Sequence, residues 1–133
     1  MSEQNVAIVR GGYEEFRRRG SFVHELVSSE FVWDMSHFHG WPEQQVYEGV
    51  PGAEQFIEEW TSAWDDWDLE VEKLHDAGDK VVAVLRQRGR SKSTGLPVDM
   101  SFAMVWTLRD GQETRMDMYS DVGEALKAVG LEK

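Results

Sequence analysis

Cysteine is absent from the 133 residues, which excludes disulfides, thiolate metal sites and a cysteine nucleophile, and fits a reducing compartment. Positive charge is scarce. Fourteen Lys and Arg face 25 Asp and Glu, leaving a net charge of -11 and a pI near 4.7, a summed field that repels the phosphates of nucleic acid. No apolar run approaches the length of a membrane span, and the opening MSEQNVAIVRGG lacks a basic segment followed by an apolar signal core. These absences lead to the expectation of a cytoplasmic protein with neither nucleic acid nor membrane as partner. Also missing are a phosphate-cradling glycine-rich loop, a Gly-x-Ser-x-Gly elbow and a zinc-protease helix. No linker, repeat or low-complexity stretch divides the chain, and a hydrophobic content of 41% suffices for one core. Residues 1–133 are therefore expected to form one domain.

The strongest positive signal is a hairpin over residues 96–121, closed at Arg109-Asp110-Gly111. Asp-Gly between two alternating segments supplies the positive φ that a tight turn needs. Before the turn Met100, Phe102, Met104, Trp106 and Leu108 share one face; after it Met116 and Met118 oppose Arg115, Asp117 and Tyr119. The hairpin thus offers a floor of sulfur and aromatic rings, either core or the wall of a pocket. Upstream, the spacing of Val6, Val9, Tyr13 and Phe16 predicts a helix from about Glu3 to Arg19, ended by Gly20. Ser21 is placed as the cap of a short second helix over 22–27. Residues 31–39 read as a strand with Phe31, Trp33, Met35, His37 and His39 on one face and Asp34 on the other, and a one-residue slip would reverse every side chain. Gly40-Trp41-Pro42 breaks it, with Trp41 a candidate lid, and residues 45–48 return beside it.

A core-facing helix follows to about Trp64, carrying Ala53, Phe56, Ile57, Trp60 and Trp64. Trp67, Leu69 and Val71 then alternate with acids in a strand, and Lys80 to Lys92 forms its partner. In the tail, Asp121 and Glu124 have capping-box spacing before a short helix, and Gly130-Leu131 marks its stop. The order predicts an α+β fold with helices on one face of an antiparallel sheet, the last hairpin at its centre.

The run Val46-Tyr47-Glu48-Gly49 into Ala53-Glu54-Gln55-Phe56, and the ending from Val105-Trp106-Thr107-Leu108 through Asp110-Gly111 and Glu124-Ala125-Leu126 to Gly130-Leu131, resemble the SnoaL-like branch of the nuclear transport factor two-like superfamily. The resemblance covers nearly the whole chain. It implies a cone-shaped, strongly curved sheet wrapped around the helices with a pocket at its open end, and a homodimer through the outer sheet face. Functions in that superfamily range from ketosteroid isomerase and polyketide cyclases to transport adaptors, so fold is implied more narrowly than activity. Against the isomerase pattern, the oxyanion tyrosine falls on Tyr13 and the first-strand carboxylate on Asp34 or, with one extra residue, on Met35. The late-strand acid falls on Met104, which cannot replace it. Ketosteroid isomerisation is not expected.

The candidate catalytic residues are Asp34, His37 and Tyr13, with His37 facing inward in one register of the strand and Asp34 in the other. Trp33, Trp60, Trp64, Met104, Trp106, Met116 and Met118 are the candidate ligand-binding residues, converging on an elongated cavity for a flat, hydrophobic ligand. His37 and His39 have a spacing seen in metal sites, but the sequence places no third ligand, so neither metal nor cofactor is expected. Two functions stay open at this point: a cofactor-independent acid–base enzyme of cyclase, isomerase or dehydratase type acting on an apolar cyclic or carbonyl metabolite, and a non-catalytic binding or dimerising module.

Overall fold

The computed structural model describes residues 2–19, 23–39 and 45–131. Gly20, Ser21, Phe22 and the Gly40-Trp41-Pro42 break, with the lid suggested for Trp41, lie outside the described residues.

Helix α1 spans Ser2–Arg19 and buries Val9 and Tyr13, with Val6 and Phe16 half-buried on the same side. Its last turn is held by Glu15, which accepts from Arg18 at 2.6 Å and Arg19 at 3.0 Å. A single 3-10 turn at His24–Leu26 leads into β1, Val27–Asp34. This strand starts earlier and stops sooner than the alternation suggests. The chain turns directly after it, with Phe38 N–H donating to the Met35 carbonyl at 2.9 Å, so His37 and His39 fall outside β1. Strand β2, Val46–Glu48, returns antiparallel beside β1.

Helix α2, Gly49–Thr61, buries Ala53, Phe56 and Trp60. It stops short of Trp64, because that residue opens β3, Trp64–Ala77, and pairs with Ser91 of β4, Lys80–Ser91. The central hairpin is β5, Pro97–Arg109, and β6, Gln112–Tyr119. Its turn has Asp110 at φ 52° and Gly111 at φ 79°, the pair of left-handed conformations a two-residue turn needs. Helix α3, Val122–Ala128, is capped by Asp121, whose carboxylate accepts from Gly123 N–H at 2.8 Å. It ends with Leu131 N–H on the Leu126 carbonyl at 2.9 Å and Gly130 at φ 78°.

The six strands form one curved, unclosed sheet in the order β2-β1-β6-β5-β4-β3, with the hairpin at its centre. It is antiparallel throughout except where β1 runs parallel to β6, because the chain reaches β6 from the far edge after the β3–β5 meander. Helices α1 and α2 pack on the inner face, over Phe31, Trp33, Leu85, Phe102, Met116 and Met118. The tail helix does not join them, as an arrangement of all helices on one face would require. Ala125 of α3 packs with Val82, Ala103 and Val105 on the outer face, which explains why those small residues alternate with large ones along β5.

Candidate functional site

A cavity of about 60 Å³ lies between α1, α2 and the inner face of the sheet. This is well below the ~300 Å³ at which drug-sized pockets begin. Nearly half of its lining residues are aromatic, and among the described residues its only charged side chain is Glu113.

Glu113 reaches the cavity through a β-bulge. The two-residue turn pairs Arg109 with Gln112 and Leu108 with Glu113, but the register then shifts, so that Thr107 faces Arg115 and Trp106 faces Met116. Thr114 is the extra residue, and its hydroxyl donates to the Thr107 carbonyl at 3.2 Å. A bulge gives two consecutive residues to one partner and breaks the alternation. Glu113 therefore shares the inner face with Leu108 and Met116. It is 4% exposed, flanked on β1 by Val27, and its carboxyl has no hydrogen-bond partner among the described residues. Burial strips water from the carboxylate without compensation and raises its pKa to about 8. Gly12 on α1 faces it. A Cβ there would sit 3.2 Å from Leu26 and 3.9 Å from a Glu113 oxygen, so the missing side chain keeps space open over the acid.

Tyr13 stands across from Glu113 in a short polar chain. Trp106 Nε1 donates to the Tyr13 hydroxyl at 2.8 Å, and that hydroxyl donates to Met104 Sδ at 3.0 Å. A thioether is a weak acceptor, so a better acceptor entering the cavity can take this hydroxyl with little loss. Burial pushes the Tyr13 phenol far above its ordinary pKa; the Trp106 N–H works against this and the nearby Glu113 adds to it. Tyr13 is a neutral donor across the physiological range. Deeper in, Trp60 Nε1 donates to Gln87 Oε1 at 2.6 Å, while Gln87 Nε2 is buried without a partner among the described residues.

Of the residues singled out from the sequence, Tyr13, Trp33, Trp60, Met104 and Trp106 line the cavity together. Met116 and Met118 are wholly buried in the core cluster rather than on its wall. Trp64 is half-buried on β3 with its ring 6.2 Å from Trp60, outside the lining because α2 ends before reaching it. Neither Asp34 nor His37 enters. The inward register places Trp33 opposite Met116, so Asp34 faces outward beside Asp117, where its carboxylate pairs with Arg115 and accepts from Ser36 N–H at 2.8 Å. Burial would raise the Asp34 pKa, but the hydrogen bonds from Ser36 and the charge of Arg115 outweigh it, and the net shift is downward. His37 lies beyond the end of β1 and stacks on Tyr119 at 4.5 Å. His39 approaches Glu124 at 3.3 Å. No group of three His, Asp or Glu side chains among the described residues could hold a metal ion.

The sequence profile of the SnoaL-like domain matches residues 9–116, and the chain belongs to that family. Solved structures share its fold. TerC co-crystallised with polyporic acid is 20% identical, with 95% of this chain and 98% of that one covered at a TM-score of 0.73. An NTF2-like protein from Burkholderia thailandensis E264 is 23% identical over 96% and 97% of the two chains, at 0.75. A protein of ketosteroid isomerase-like fold from Catenulispora acidiphila DSM 44928, in complex with trimethylamine, is 16% identical over 81% and 79%, at 0.62. At these identities the likeness is one of fold. No protein with a curated description matches the sequence.

Proposed function

We propose that this chain is a cofactor-independent acid–base enzyme acting on a small apolar molecule that carries a carbonyl or hydroxyl oxygen, as in dehydration or isomerisation. The observation that carries the reading is Glu113, among the described residues the one charged side chain on a largely apolar cavity wall. With a pKa near 8 it holds its proton at neutral pH and can give it to a ligand oxygen, as general acids tuned by burial do. Tyr13 would orient the ligand by turning its O–H from Met104 to the same or a neighbouring oxygen. The role first given to Asp34 or His37 passes to Glu113, and Tyr13 keeps its part. Two fold neighbours were crystallised with small molecules, polyporic acid and trimethylamine, which supports a small-molecule ligand for this fold.

The reading also carries a single domain over residues 1–133, a cytoplasmic location and a homodimer through the outer sheet face around Arg115, Asp117 and Tyr119. Sedimentation at the monomer mass of 15.3 kDa at micromolar concentration would remove the dimer. Turnover is tested with a panel of small cyclic ketones and alcohols. The wild type should convert at least one of them, with a rate that falls as pH rises through about 8, and Glu113→Gln should abolish conversion. Asp34→Asn and His37→Gln should leave it unchanged. Conversion that survives in Glu113→Gln, or a rate that rises through pH 8, overturns the assignment of Glu113 as acid. Binding without conversion leaves the non-catalytic module as the function.

A further inference from the structure

Proton transfer from Glu113 would leave a carboxylate facing a positively charged ligand, and the cavity around it is built of groups that suit such a charge. Eight of its seventeen lining residues are aromatic, among them Tyr13, Trp33, Trp60, Trp67 and Trp106. Ring faces carry negative electrostatic potential and attract cations, most strongly where water is excluded. Among the described residues no Lys or Arg lines the cavity, so none of them would repel a cation there. The net charge of -11 raises the concentration of cations around the molecule further. An anion meets the opposite on every count.

We propose that the cavity is a cation site, and that it binds small alkylammonium ions of tetramethylammonium size between the Glu113 carboxylate and the aromatic walls. The inference rests on the placement of Glu113 that the acid–base reading also uses, and goes beyond it in naming a second, charged class of ligand. A small cavity of about 60 Å³ favours a small ion over a bulky one. Coordination chemistry excludes the inorganic alternatives. A calcium or magnesium ion needs about six or more oxygen ligands, and besides Glu113 the lining offers the hydroxyl of Tyr13 and that of Thr61, already donated to the Ile57 carbonyl at 2.7 Å. An alkylammonium ion brings its own apolar shell and needs only one counter-charge.

Binding must be coupled to the proton on Glu113. The groups facing it are Tyr13 from α1, which stays neutral, and the apolar Val27 of β1 and Leu108 of β5; Arg115 on its own strand turns to the outer face and pairs with Asp34 and Asp117. A quaternary cation entering below pH 8 therefore expels one proton, whereas a tertiary amine entering neutral takes that proton and becomes the ion.

The test is calorimetric titration with tetramethylammonium chloride and, as a neutral probe of the same heavy-atom count, tert-butanol, at pH 6 to 9. Tetramethylammonium should bind at least about tenfold more tightly than tert-butanol at pH 9. Its affinity should fall about tenfold per pH unit below pH 8, with one proton released per ion bound. Glu113→Gln should lose the pH dependence and most of the preference for the ion, and Glu113→Asp, which keeps the charge, should retain both. Equal binding of both probes by the wild type, a cation preference undiminished in Glu113→Gln, or no binding of the ion overturns the proposal. If any of these occurs while Glu113 still titrates near 8 and its Gln variant still loses turnover, the cation site alone fails. If Glu113 titrates in the ordinary carboxylate range while tetramethylammonium still binds in preference to tert-butanol, the acid–base reading alone fails.

Discussion

Replacing Glu113 by Gln should stabilise the protein, and should do so only at neutral and alkaline pH. The folded chain holds the Glu113 proton until about pH 8, whereas an unfolded glutamate releases it near 4.5. Between those values the native state binds more protons than the unfolded state, so stability falls as pH rises through the window and levels off above it. A difference of 3.5 pKa units at about 1.4 kcal/mol each amounts to about 5 kcal/mol above pH 8, and to about 3 kcal/mol at pH 7. Gln keeps the shape and cannot ionise. Its buried amide and the protonated acid both lack a partner among the described residues, so wild type and variant should differ by less than about 1 kcal/mol at pH 5. At pH 9 the variant should melt higher by roughly 15–25 °C, taking about 3–5 °C per kcal/mol for a chain of this size. Thermal melts followed by tryptophan fluorescence from pH 5 to 9 give the two curves. If they run parallel across the whole range, Glu113 does not hold its proton in the folded state and the reasoning fails.

Tyr13→Phe removes the acceptor of Trp106 Nε1 and leaves a buried N–H unpaired, so urea unfolding at pH 7 should show a loss of about 1–3 kcal/mol; a loss below about 0.5 kcal/mol would contradict the hydrogen-bond chain. Asp34→Asn should cost about 1–3 kcal/mol at neutral pH by weakening the contacts to Arg115 and Ser36. Because the Asp34 pKa is depressed in the folded state, that contribution is present above the ordinary carboxylate range and should vanish as pH falls through the folded value; urea titrations at pH 7 and at pH 2–3 read both limits. Gly111→Ala should lose about 1 kcal/mol in the same assay, since Gly111 sits at φ 79°, where a Cβ is strained.

Most of the architecture is legible in the sequence because period and turn chemistry are local. Asp110-Gly111 locates the hairpin, the stripe from Ala53 to Trp60 locates α2, and Asp121 locates α3. The ends of β1 and α2 are not local. Trp64 continues the helical stripe by spacing but is claimed by a strand pairing with Ser91, and residues 35–38 continue the strand alternation but turn because the backbone bonds locally there. Glu113 escapes a reading that assigns each strand a strict period of two. Its signal was nevertheless present. A two-residue turn at Asp110-Gly111 sets Trp106 opposite Arg115, so Met116 and Met118 can join the apolar floor only if β6 gains one residue. That bulge turns Glu113 inward together with the methionines. The same logic settles Asp34, since Trp33 and Phe31 cannot be buried without turning Asp34 out to Arg115.

The central claim is that the cavity holds a carboxyl which keeps its proton at neutral pH. Carbon-13 NMR of the protein labelled at the glutamate Cδ, with Glu113→Gln used to assign the resonance, reads that proton directly. The Glu113 signal should titrate with a midpoint near 8, separate from the other glutamates. A midpoint between 4 and 5 would contradict the account.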